Sequence, residues 1–96
     1  MSDVINAAVT ALNEKIEGGF DGGTAKFVLN GEGSIIVDGN GAREGDEDAD
    51  VTLTADSDVF QEMLSGEMNP TTAFMTGKLS VDGDMGMAMQ LGAALG

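Results

Sequence analysis

Cysteine and histidine are both absent from this sequence. Without cysteine there is no disulfide framework and no thiolate nucleophile; without histidine the commonest metal ligand and general base is missing. An enzyme built from this chain would have to work without either. A serine nucleophile would lack its usual base, and Ser34, although Gly31 and Gly33 crowd it, does not stand in a G-x-S-x-G turn. Basic residues are scarce too: Lys15, Lys26, Arg43 and Lys78 stand against 17 acidic side chains, a formal net charge of −13. Nucleic acid and anionic bilayers would repel such a chain before local contacts formed, so neither is an expected partner. The glycines form neither G-x-G-x-x-G nor a Walker loop, which leaves nucleotide binding without support. Asp46, Asp48 and Asp50 reproduce the first spacings of a calcium loop, but Val51 replaces the turn glycine and Ser57 the bidentate glutamate. No catalytic residue, metal or cofactor is expected.

Long apolar runs are also missing. No stretch approaches the ~20 residues that span a bilayer, and the opening MSDVINAAVTALNEK lacks the basic start and continuous apolar segment of a secretory signal. The expectation is a soluble, cytoplasmic protein without stable membrane insertion, folded as one domain over residues 1–96.

What is present is a regular alternation of helix and strand patterns. Ile5, Ala8, Val9, Leu12 and Ile16 recur at three- and four-residue intervals, which predicts a helix over 4–16 stopped by Gly18-Gly19. After a turn at Asp21-Gly22-Gly23, Ala25, Phe27 and Leu29 alternate with Lys26 and Val28 as a strand. Asn30-Gly31 supplies a hairpin turn into a second strand. There Ile35, Ile36 and Val37 run without a break, a pattern for a strand covered on both faces or touched on its outer face by a helix. Asp38-Gly39-Asn40-Gly41 turns the chain toward a brief edge strand near residues 42–45. The following EGDEDAD should stay extended in solvent through mutual repulsion. Val51, Leu53 and Ala55 mark another strand, and Asp56 or Ser57 caps a helix with Val59, Phe60, Met63 and Leu64 on its apolar side, ended by Gly66.

The run from Ser65 to Leu91 is the densest part of the chain. Asn69-Pro70 reads as an N-cap and first helical residue, Gly77 as the left-handed stop, and Leu79 and Val81 as the inward positions of a strand. Asp82-Gly83-Asp84 turns again, and Asp84 caps a last helix in which only Gln90 is distinctly polar. That helix has no obvious water-facing side. Every methionine beyond the initiator lies from Met63 onward, and unbranched, polarizable Met suits a surface that fits ligands of varied shape. The order of elements predicts an α+β fold, a mainly antiparallel sheet of about five strands with helices gathered on one face.

The string G-E-M-N-P-x-x-A-F-M-x-G-K-L-x-V-x-G-D-M-x-x-A-M-x-L, carried by Gly66 through Leu91, resembles the C-terminal signature of the sterol carrier protein type 2 family of lipid-binding domains. The resemblance implies an apolar cavity enclosed by the helices, and a noncatalytic role in binding and carrying a fatty acyl chain, a sterol-like molecule or another apolar ligand. Carried over by position, it makes Phe74, Met75, Leu79, Met85, Met89 and Leu91 wall candidates, with Leu64 just before the matched string. The alternative is an interaction module whose apolar C-terminal helix docks on a second copy or a partner enzyme, or an accessory domain to a lipid-metabolising enzyme. The chain closes on Leu95-Gly96 instead of the S-K-L peroxisomal address of some family members, which suits the cytoplasmic expectation.

Overall fold

A computed structural model describes residues 3–16, 19–20 and 22–95, the last without its side chain. Helix α1 (Asp3–Lys15) begins one residue before the apolar periodicity does and buries Ile5, Ala8 and Leu12, with Ile16 continuing the stripe. Of the residues expected to follow it, Glu17, Gly18 and Asp21 lie outside the described residues.

Five strands follow the predicted alternation: β1 (Ala25–Asn30), β2 (Gly33–Asp38), β3 (Gly41–Glu44), β4 (Val51–Asp56) and β5 (Leu79–Gly83). Between β4 and β5 lie α2 (Ser57–Ser65) and α3 (Pro70–Met75), and α4 (Met85–Leu95) follows β5. The sheet order is β3-β2-β1-β4-β5, with β1 and β4 parallel and the other neighbours antiparallel. The predicted mainly antiparallel α+β fold is borne out. Its inner face presents Phe27, Leu29, Ile35, Val37, Leu53 and Leu79, and residues from all four helices join these in one core. Phe27 and Phe60 meet edge to face at its centre, ring centroids 5.1 Å apart, a geometry that suits the ring quadrupoles.

The outer face differs from expectation. Because β1 and β4 are parallel neighbours, the chain leaving edge strand β3 must pass β2 and β1 to reach β4. Three strand spacings are about 14 Å, within reach of the six residues 45–50. The acidic side chains of this segment are exposed to solvent as expected, but they are not left to repel one another. Lys26 donates to Asp46 at 2.9 Å, Arg43 pairs with Asp38 and Glu47 at 2.8 Å each, and the Asp50 carboxylate accepts from the Thr24 N–H at 3.1 Å. The repulsion that the local sequence suggests is offset by cations supplied from β1 and β3. Ile36, pointing away from the core on β2, is fully buried with the backbone of Gly45 close against it; a loop, not a helix, lies there.

Edge strand β3 is held from above by α1. The Asn13 side-chain amide donates to the Ala42 carbonyl at 3.1 Å and accepts from the Ala42 N–H at 2.9 Å. Gly41, at φ 113°, allows the approach, since a Cβ there would lie 2.7 Å from Asn13 Oδ1.

Helix ends follow the capping residues closely. Asn69 Oδ1 accepts from the Thr71 N–H at 2.8 Å with Pro70 opening α3, and Gly77 leaves the helix at φ 80°. Asp84 Oδ1 accepts from the Met87 N–H at 3.1 Å, and Gly66 ends α2 at φ 85°. Asp56 occupies the cap position of α2 without making the cap bond; its carboxylate takes the Asn30 amide instead, at 3.1 Å.

Candidate functional site

The site is built from α4 outward. Residues on a helix advance by about 100° each, so its side chains divide into three sectors. Met87 and Leu91, with Ala88 beside them, face the core and are buried. Gly86, Gln90 and Ala94 form the outer sector around the only polar side chain of the helix. Met85, Ala88, Met89, Gly92 and Ala93, at i, i+3, i+4, i+7 and i+8, form the third sector and line a groove. The apolar surface that leaves α4 without a predicted water-facing side is thus divided between the core and this groove.

The opposite wall comes from β5 and α3. Leu79 and Val81 project from the same face of β5, Leu53 is the register partner of Val81 on β4, and Phe74 closes the side from α3. Asn69, Pro70 and Thr71 complete one end, where Gly92 of α4 faces the Pro70 ring. The groove has a volume of about 460 Å³, inside the ~300–1,000 Å³ range of small-ligand pockets, and it is open on one side. Its length along α4, from Met85 to Ala93, is about 12 Å at the helical rise.

Four of the residues singled out from the sequence, Phe74, Leu79, Met85 and Met89, come together here. Three others lie elsewhere. Met75 does not line the groove and is 79% exposed, while Leu91 is fully buried in the core. Leu64 lines a separate shallow groove of about 330 Å³ between α1 and α2, with Val4, Ala8, Ala11 and Phe60. Sequence reasoning missed Val81 and Leu53 as wall residues although strand alternation places Val81 beside Leu79. It also missed Ala88, Gly92 and Ala93, which the stripe beginning at Met85 could have indicated.

The exposed large apolar side chains among the described residues are Phe74 (43%), Met75, Met85 (45%) and Met89 (74%), all on α3 and α4. Isolated exposed apolar residues are ordinary, whereas a contiguous set around a concave surface marks a binding site. The lining carries no charged side chain, and its polar members are Asn69 and Thr71. Electrostatic perturbation lies elsewhere. The Arg43 guanidinium, helped by the Asn40 N–H, holds the Asp38 carboxyl below its ordinary range, and Asp38 and Glu47 raise Arg43 in turn. Among the described residues no cluster of three His, Cys, Asp or Glu side chains could hold a metal, and no helix is long and apolar enough to cross a membrane.

Comparison with known proteins agrees with this architecture. Hydroxysteroid dehydrogenase-like protein 2 of Xenopus tropicalis is 44% identical over 82 residues, covering 77% of this chain and 20% of that protein. Sterol carrier protein 2 of Gallus gallus is 44% identical over 81 residues, 80% of this chain and 14% of the relative. The chain therefore spans a fifth or less of the length of these relatives. Among solved structures, sterol carrier protein 2 of Yarrowia lipolytica in its apo form superimposes with a TM-score of 0.67 at 27% identity, over 97% of this chain and 81% of that one. The Aedes aegypti sterol carrier protein in complex with palmitate gives 0.78 at 20% identity, over 99% and 96%. The model of the SCP-2 sterol transfer family matches residues 6–96, and the chain belongs to that family.

Proposed function

We propose that this chain is a noncatalytic lipid-binding domain, folded as one unit, that carries an apolar ligand in the groove between α4, α3 and β5. The observation that carries the reading is that the exposed large apolar side chains of the described residues all gather on α3 and α4, with Phe74, Met85 and Met89 lining one concave surface. Water against this surface is unfavourable, and each ligand methylene that replaces it contributes about 0.8 kcal/mol. Phe74, Leu79, Met85 and Met89 form the wall; Leu91 supports α4 from the core side. Complex formation with palmitate by the Aedes aegypti relative supports a fatty acyl chain or a ligand of similar shape. The absence of cysteine suits a cytoplasmic setting.

The test is binding of a fluorescent acyl probe to the parent, Phe74→Asp and Met89→Asp. Both positions are exposed enough for the fold to survive a carboxylate. The reading predicts that the parent binds and that each variant loses at least about tenfold in affinity. Folded variants that bind as well as the parent would place the ligand elsewhere.

A second reading draws on Met75, a large apolar side chain of α3 that is exposed outside the groove. In it, α3 and α4 also dock on a partner, either a second copy or a lipid-metabolising enzyme that this domain serves. The length of the relatives, about five times or more that of the matched segment, supports a role beside other domains. Sedimentation at rising concentration separates the cases: a monomer throughout argues against self-association.

A further inference from the structure

The charge around the groove narrows its ligand class beyond the lipid-binding reading, on which this inference rests. A bound amphiphile must leave its polar end at one of the groove's ends or at its open side. At one end stand Asn69 and Thr71, both neutral, with Asn69 Oδ1 already engaged by the Thr71 N–H. At the other, Val81 and Met85 are followed and preceded in the chain by Asp82 and Asp84. The Asp84 carboxylate caps α4 through the Met87 N–H, so the positive end of that helix already holds an anion.

None of the four Lys and Arg side chains lines the groove. Lys26 and Arg43 are paired with Asp46, Asp38 and Glu47 at the sheet's other face and edge. Lys15 ends α1. Lys78 precedes Leu79 in the chain, but its side chain is not part of the groove lining. A formal charge of −13 over the 96 residues adds a long-range repulsion toward any anion. We infer that the groove selects apolar ligands whose polar end is uncharged, such as a long-chain alcohol or ester, over free carboxylates and phosphate-bearing acyl thioesters.

Dodecanol and laurate share a twelve-carbon chain and differ in the charge of one end, since a carboxylic acid is ionised at neutral pH. Titrating each into protein with ¹³C-labelled methionine methyls, at about pH 7.5 and ~20 mM salt, where screening is weak, reports both affinity and place. The expected result is shifts at Met85 and Met89, with dodecanol bound at least about tenfold tighter than laurate. Thr71→Lys, which adds a cation at the neutral end, should bring the two within about threefold, and Lys78→Gln should leave the parent ratio unchanged. Laurate binding as tightly as dodecanol to the parent overturns the inference, as does a laurate affinity that collapses in Lys78→Gln. If neither ligand moves Met85 or Met89, the lipid-binding reading fails with it, an outcome distinct from loss of selectivity alone.

Discussion

Helices α1 and α4 cover the same face of one sheet and end up with opposite relations to solvent. α1 carries its main apolar stripe, Ile5, Ala8, Leu12 and Ile16, buried, while Asn6, Thr10 and Glu14 face water and the smaller Val4 and Ala11 edge the groove beside α2. α4 carries two apolar sectors and only one fits against the sheet; the other, with Met85 and Met89, faces a groove. Among its described residues the first helix leaves no large apolar side chain exposed. The second leaves Met85 and Met89 exposed beside the groove, the surface that the proposed ligand would cover.

Substitutions that treat the two helices alike should therefore give different results. The largest effect on stability is expected from Leu12→Ala, because the side chain is completely buried and its loss leaves a cavity: about 2–5 kcal/mol by chemical denaturation. Met89→Ala on α4 should cost less than about 0.5 kcal/mol, as its side chain is 74% exposed, yet it should weaken ligand binding. If Met89→Ala cost as much as Leu12→Ala, the groove sector would be part of the core and the contrast would fail.

A middle-sized effect is expected at the seam between α1 and the sheet edge. Asn13→Ala removes two hydrogen bonds to Ala42 and should cost about 1–3 kcal/mol, with faster amide exchange along β3. Unchanged exchange there would show that the edge is held by its pairing with β2 alone. On α4, Gly92→Ala should stabilise the helix by up to about 1 kcal/mol in thermal unfolding, since a Cβ there meets Pro70 at an ordinary 3.4 Å. A loss of stability would mean that α4 cannot accommodate even a methyl group against α3.

The smallest effect concerns pH. The Asp38 carboxyl has a folded pKa lowered by Arg43 and the Asn40 N–H, so its contribution is present above the unfolded value near 3.8 and is lost as pH falls through the lower folded value. Between neutrality and about pH 5 this pair should contribute no slope. Arg43→Gln should flatten part of the acid limb below about pH 4, and an acid limb identical to the parent's would remove the pair from the account.

The elements were legible where the information is local. Asn69-Pro70, Gly77 and Asp84 announce their helix ends because capping and positive φ depend on a few adjacent residues. The parallel pairing of β1 with β4 was not, since nothing in TAKFVLN or VTLTAD specifies a partner so far away in the chain. Part of the pairing of the acidic segment was hidden for the same reason: Lys26 reaches Asp46 across the sheet, whereas Arg43 meets Glu47 only four residues on. The bonds of Asn13 to Ala42 could not be read locally either, because the two residues lie 29 positions apart. Within the site, Phe74, Leu79, Met85 and Met89 could be singled out, but the division of α4 into core and groove sectors required knowing which side meets the sheet. That is why Leu91 and Met75 fall outside the groove while Ala88 and Gly92 line it.

The central claim is that the surplus apolar sector of α4 exists to hold a ligand. Native mass spectrometry of the freshly purified protein, with organic extraction of what it carries and Met89→Asp prepared in parallel, tests it most directly. The account predicts an added mass on the parent that extracts as a lipid and is missing from the folded variant. A parent that emerges bare and takes up neither dodecanol nor laurate would contradict it.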